Sequence, residues 1–167
     1  LLIAGVAMLA QWMYFENPLL LGLSVGKDQL PSAEDFVIYT QQQALDETLE
    51  RFQSVIGKDF VPYRNHCLRV LTFAVYFLGR TPTSHELQVM GNAIAHHDIA
   101  LWTDGQLDYL DPSVVAMERD WLAQNMPLEW SDQETAREII LQHHKWTTWT
   151  PPKADSPANA ELVNAVR

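Results

Sequence analysis

The chain has 167 residues, 47% of them hydrophobic and one a cysteine, with 21 acidic against 11 basic side chains and a formal charge of −10. That length suits one domain with a self-sufficient core; a single cysteine excludes an intrachain disulfide and fits a reducing, cytoplasmic setting. The acidic excess argues against wrapping duplex nucleic acid, while a small phosphorylated substrate stays compatible if a metal and a few local basic groups reverse the potential in one pocket.

Leu1 to Phe15 is almost wholly apolar, broken by Gln11 and followed by Glu16, Asn17 and Pro18. As a helix it would span about 22 Å, short of the ~30 Å hydrocarbon core. It is therefore expected to pack on the domain or on a partner, with membrane association as the alternative. No basic segment or cleavage site marks a signal peptide. Pro18 to Pro31, with Gly22 and Gly26, reads as a connector, which gives an apolar N-terminal segment over 1–31 and a helical domain over 32–167.

Ser32 with Asp35 has the spacing of a capping box and opens an amphipathic helix that places Leu45, Leu49, Phe52 and Ile56 on one face, ends at Gly57 and leaves Gln41 to Gln43 solvated. Pro62 fits the first turn of the next helix and Gly79 the position past its end. Tyr63, Cys67, Val70, Leu71, Ala74 and Leu78 make the apolar face of that helix, with Cys67 a small buried side chain. Thr83 and Glu86 cap a third helix in which Leu87, Met90, Ile94 and His97 align, while His96 is turned about 100° aside. Thr103-Asp104-Gly105 is a turn, Asp111-Pro112 the N-cap and N1 of a helix to about Gln124, and Met126-Pro127 its break.

Ser131 with Glu134 caps a further helix that aligns Ala136, Ile139, Ile140 and His143, with His144 less squarely inward. Thr150 to Lys153 forms a loop, and Asn159 to Arg167 begins a last helical pattern. That unfinished pattern and the start at Leu1 lead us to expect a segment of a longer protein. Neither a period-2 run nor an internal repeat is found, so the fold class is all-α.

Five of the six histidines fall in three segments, Asn65-His66-Cys67, His96-His97-Asp98 and His143-His144. Three helices thus each bring an imidazole near their inner face, and one adds a carboxylate. Burying such a set is costly unless a metal or close pairing compensates, and mixed nitrogen and oxygen donors suit a divalent cation.

In an all-helical chain the order His66, then His97-Asp98, then His143-His144 resembles the HD-domain superfamily of metal-dependent phosphohydrolases, whose pattern is H…HD…D. Asn65-His66-Cys67-Leu68-Arg69-Val70 is similar to its first motif and Ala95-His96-His97-Asp98-Ile99 to its second, over roughly Phe60 to Arg167. The resemblance implies an HD-like helical bundle in which His66, His97 and Asp98 bind one divalent metal ion, from among Mn, Fe, Co, Ni, Zn and Mg. It also implies hydrolysis of a nucleotide or other small phosphorylated metabolite.

The family's closing aspartate has no secure match. Asp155 precedes the last helix, and the ligand is expected beyond Arg167. Members that bind two metals use extra histidines, and none stands between Ile99 and Gln142. A single metal is therefore expected, with His143 or His144 orienting substrate or water beside Asp98. Lys145 and Arg69 are candidates for phosphate contact, their plain alternatives being a solvated lysine and a helix-fixing ion pair. Trp102, Trp146 and Trp149 either stack on a base or pack, and Asp104 and Asp108 either assist the chemistry or only make turns. The alternative function is a non-catalytic interaction or scaffold domain of the same fold, contacting a protein or membrane through residues 1–15 or forming a homo-oligomer.

Overall fold

A computed structural model describes residues 36–105, 107–126, 129–145 and 147–167. The apolar stretch Leu1 to Phe15, the connector, the boundary at 31, the Ser32 and Asp35 pair, Pro127 and Trp146 lie outside the described residues. The described residues form α1 Gln43–Ile56, α2 Phe60–Leu78, α3 Ser84–His96, α4 Ala100–Thr103, α5 Leu110–Ala123, α6 Trp130–Gln142 and α7 Ala160–Val166, with a 3-10 turn at Gly57–Asp59 and no strand. None of these helices is long and apolar enough to cross a membrane.

α3 is the axis of the bundle. Val89 to His96 are all buried, and α1, α2, α5, α6 and α7 pack around it. A helix enclosed on every side needs small or apolar residues all round, which Val89-Met90-Gly91-Asn92-Ala93-Ile94-Ala95 supplies. Its start is fixed by the capping box expected from the sequence: the Glu86 amide donates to the Thr83 hydroxyl and the Thr83 amide to the Glu86 carboxylate. Arg80 then pairs with Glu86 at 2.6 Å and with Glu161 at 2.7 Å, tying the exit of α2 to the first turns of α3 and α7.

Gly79 ends α2 in the left-handed conformation at φ 69°, and Pro62 lies in its first turn, both as expected. Three helix starts differ from expectation. α1 begins at Gln43, because residues 36–39 are not helical and the Gln42 side chain accepts from the Leu45 amide. The glutamine run is therefore not merely solvated. α5 begins at Leu110, so Asp111 and Pro112 sit inside its first turn, where the missing proline N–H still leaves no intrahelical bond unmade. α6 begins at Trp130 after Glu129, and Ser131 is within the helix, its carbonyl accepting from the Thr135 hydroxyl. The last helix and the turn at Gly105 are as expected, with Asn159 found to be the N-cap of α7, while the short helix α4 has no counterpart in the pattern of apolar residues.

The α1–α3 contact depends on Gly91. A Cβ there would run into the Gln42 side-chain oxygen and lie 3.2 Å from the Leu45 amide nitrogen, so a methyl group meets the N-cap of α1 itself. Gly91→Ala should destabilise the domain by about 1–3 kcal/mol, read as a lower urea midpoint. A second expectation concerns acid. The Arg80 guanidinium, against the effect of burial, holds the Glu86 carboxyl down at about 2. Stability from this depressed carboxyl is present above the ordinary carboxylate pKa of about 4.3 and lost as pH falls toward 2. Glu86→Gln should therefore flatten that part of the stability profile, measured as urea midpoint against pH.

Candidate metal centre

The centre forms where α3 breaks. In a continuous helix the Ile94 carbonyl would accept from the Asp98 amide. Instead it accepts from Nδ1–H of His97 and, in a tightened last turn, from the His97 amide at 3.5 Å, and the Cys67 thiol also approaches it at 3.5 Å. The Asp98 amide turns to the Tyr63 hydroxyl at 3.3 Å, and that hydroxyl donates to the Ala95 carbonyl at 3.1 Å. Ile99 then bonds to the His96 carbonyl in a tighter turn, and the Ala100 amide finds the Ser113 hydroxyl at 3.2 Å. The bend brings the neighbouring side chains of His97 and Asp98 together.

Three donors converge there. His97 Nε2 lies 3.0 Å from Asp98 Oδ2 and 3.1 Å from His66 Nε2, and His66 Nε2 lies 3.9 Å from Asp98 Oδ2. Donors about 2.1 Å from one cation stand about 3.0 Å apart at right angles and about 3.4 Å apart tetrahedrally. The two edges from His97 Nε2 match the right-angle spacing, while the His66–Asp98 edge at 3.9 Å is wider than either. Among the described residues these are the side chains whose geometry could hold a metal ion.

Ring orientation sharpens the fit. A carbonyl only accepts, so the bonds from Nδ1 of His97 to Ile94 and from Nδ1 of His143 to Ile140 place a proton on each Nδ1. With Nδ1 engaged, each ring aims its Nε2 at Asp98, that of His143 lying 3.5 Å from Asp98 Oδ1. Asp98 Oδ1 is buried and has no hydrogen-bond partner. Ring nitrogens gathered around a carboxylate with an unpartnered oxygen call for a cation or a proton between them.

Electrostatics follow the geometry. Burial, and then the neighbouring His97, push His66 down to about 4, so it is a neutral donor near pH 7. Burial disfavours an ionised Asp98, yet His97 and His143 hold its carboxyl well below the usual range. His97 is likewise opposed by burial and overruled by Asp98, which raises it well above an ordinary imidazole. Without a cation, a proton on His97 Nε2 bridges to Asp98, and metal and proton compete for that place. Burial keeps Cys67 a thiol, consistent with its expected packing role.

The remaining candidates divide. His143 flanks the cluster, its ring 4.8 Å from that of His97. His144 is exposed beside it, and burial, His143 and Lys145 lower its pKa. Lys145 and Arg69 are exposed, and Arg69 acts on His66 through its charge. Trp102 packs on Tyr63 at 4.5 Å and donates to Asp59, and Trp149 is half-buried with its backbone bonded to Asn164. Asp104, Asp108 and Asp155 are exposed and outside the cluster.

Two phenols escaped the sequence reading. Tyr63 stacks beside both His66 and His97. Tyr109 lies 6.4 Å from His143, its hydroxyl pushed up to about 12 by burial and by Asp98. The first had a signal, since Tyr63 is one turn before His66 on the same helix face; Tyr109, in a loop, had none.

His96 faces elsewhere but not into solvent. It is fully buried, Nδ1–H donating to the Asn92 carbonyl and Nε2 lying 3.4 Å from Asp120, which Arg51 grips at 2.8 Å. Edge-on packing against Phe52 completes that second environment. No family model, no curated protein and no solved structure matches this chain.

These placements separate adjacent histidines. His97→Ala should abolish metal retention by elemental analysis. His96→Ala should retain metal but lower stability by about 1–3 kcal/mol, because it empties a fully buried site and leaves the half-buried Asp120 short of a partner. Equal metal loss in both would contradict the two environments.

Proposed function

We propose that this chain is a metal-dependent phosphohydrolase with an HD-like helical bundle, acting on a nucleotide or another small phosphorylated metabolite. The observation that carries the reading is the triangle of His66, His97 and Asp98, with spacings of 3.0, 3.1 and 3.9 Å beside an unpartnered Asp98 oxygen. The ordered motifs, Asn65-His66 on α2 and His97-Asp98 at the end of α3, give the resemblance on which the reaction class rests.

His66, His97 and Asp98 would hold a single divalent ion. Such an ion, when bound, supplies a water of lowered pKa and polarises a phosphoryl oxygen. The chain's own groups do the rest. The Ile94 and Ile140 carbonyls lock the His97 and His143 rings, so both keep Nε2 toward the reacting region. His143 orients water or substrate from the side of Asp98 Oδ1, and His144, its pKa lowered, is neutral and able to accept a proton. Lys145, just past α6, and Arg69, on α2 after His66, are exposed and provide positive charge for a phosphate in a chain that is otherwise strongly acidic.

The test is direct. The purified chain, supplied with Mn²⁺, Co²⁺ or Zn²⁺ and desalted, should hold near-stoichiometric metal and hydrolyse members of a panel of nucleoside monophosphates and small phosphomonoesters. A chelator should remove the activity. Asp98→Ala should lower it by about 100-fold or more, the scale of losing a principal electrostatic stabiliser. A chain that takes up no metal would overturn the reading and turn attention to the scaffold alternative.

A further inference from the structure

We propose that Tyr63 is a positioning residue for the metal centre: its hydroxyl splices the break after α3 and thereby sets the Asp98 carboxylate against His97 and His66. This rests on the metal reading above.

The break leaves two backbone groups without their helical partners. The Asp98 amide has lost the Ile94 carbonyl to the His97 ring, and the Ala95 carbonyl has lost the Ile99 amide to His96. One phenol serves both, accepting from Asp98 N at 3.3 Å and donating to Ala95 O at 3.1 Å, in a site where Tyr63 is buried. A hydroxyl can do this because it donates and accepts at once; a water would need room that the packed ring does not leave.

The ring adds a second constraint. It lies nearly parallel to His66 and His97, with interplanar angles of 23° and 22°, and is itself held by Trp102. Tyr63 and His66 share a face of α2, one turn apart, so the same helix that carries one ligand also fixes the backbone of another. Deleting the hydroxyl removes its 3.5 Å contact with His97 Nδ1, leaves the bond of that nitrogen to the Ile94 carbonyl, and frees the Asp98 peptide to rotate. Outer groups of this kind tune metal affinity by about 10–100-fold.

The experiment titrates Co²⁺ into wild type, Tyr63→Phe and Thr135→Val, following the visible cobalt bands and apo-protein melting. Thr135→Val is the control for simple destabilisation. It also deletes a buried hydroxyl that bonds two backbone groups, Ser131 O and Asn159 N, two helical turns from His143. Both variants should melt lower than wild type. Tyr63→Phe alone should bind Co²⁺ about 10–100-fold more weakly, with altered bands, while Thr135→Val stays within about threefold of wild type.

Wild-type affinity in Tyr63→Phe overturns the inference and leaves the metal reading standing. No uptake by wild type overturns both. Should Tyr63→Phe not fold, the coupling is read in wild type. Exchange of the Asp98 amide proton should slow at least about tenfold on saturation with Zn²⁺, and unchanged exchange overturns the inference.

Discussion

Competition for the Ile94 carbonyl governs the centre. A backbone acceptor that would normally continue the helix is taken by the His97 ring, which stops α3 in the middle of the bundle rather than at its surface. A helix end buried in this way needs side chains to satisfy what it releases. Tyr63 and Ser113 do so from α2 and α5. The ligand geometry is thus a property of three helices meeting at one break, and not of the His-Asp dipeptide alone.

The two adjacent histidines show how that break divides the interior. His97 belongs to the side of α2 and α6, where nitrogen and oxygen donors converge. His96 belongs to the side of α1 and α5, where the Arg51 guanidinium donates to both Asp120 and Thr48 and His96 Nε2 lies 3.4 Å from Asp120. Burial opposes an ionised Asp120, but His96 and Arg51 bring its carboxyl down to about 2, so its charge is met within the protein. Asp98 faces imidazoles and the Tyr109 phenol but no guanidinium, and keeps an oxygen unpartnered. One carboxylate is structurally closed and the other chemically open.

Much of this was legible in the sequence where the cause is local. The Thr83 and Glu86 capping box, Gly79 after α2, the last helix after Asn159 and the inward phase of His97 and His143 all follow from spacing within one turn or two. What escaped depends on distant partners. The start of α1 at Gln43 is fixed by Gln42 docking over Gly91, nearly fifty residues away in the chain, and no capping pattern around Ser32 could reveal it. Tyr63 read as an ordinary apolar-face residue because only the break in α3 gives its hydroxyl a task. Trp102 read first as a packing residue and only secondly as a stacking platform, and its ring is engaged with Tyr63 and its N–H with Asp59. The all-α class was evident throughout; the helix starts at α5 and α6 moved by a residue or two because Pro112 and Ser131 tolerate several positions in a first turn.

Cys67 gives the arrangement a kinetic dimension. It is the only thiol of the chain, fully buried between α2 and α3, with its sulfur against the carbonyl that sets the break. A reagent in solution reaches that sulfur only when the two helices part, so the rate at which the thiol becomes modified counts the openings of this one seam. The chain therefore carries an intrinsic clock for the breathing of its own centre, placed one residue from His66 and needing no engineered label.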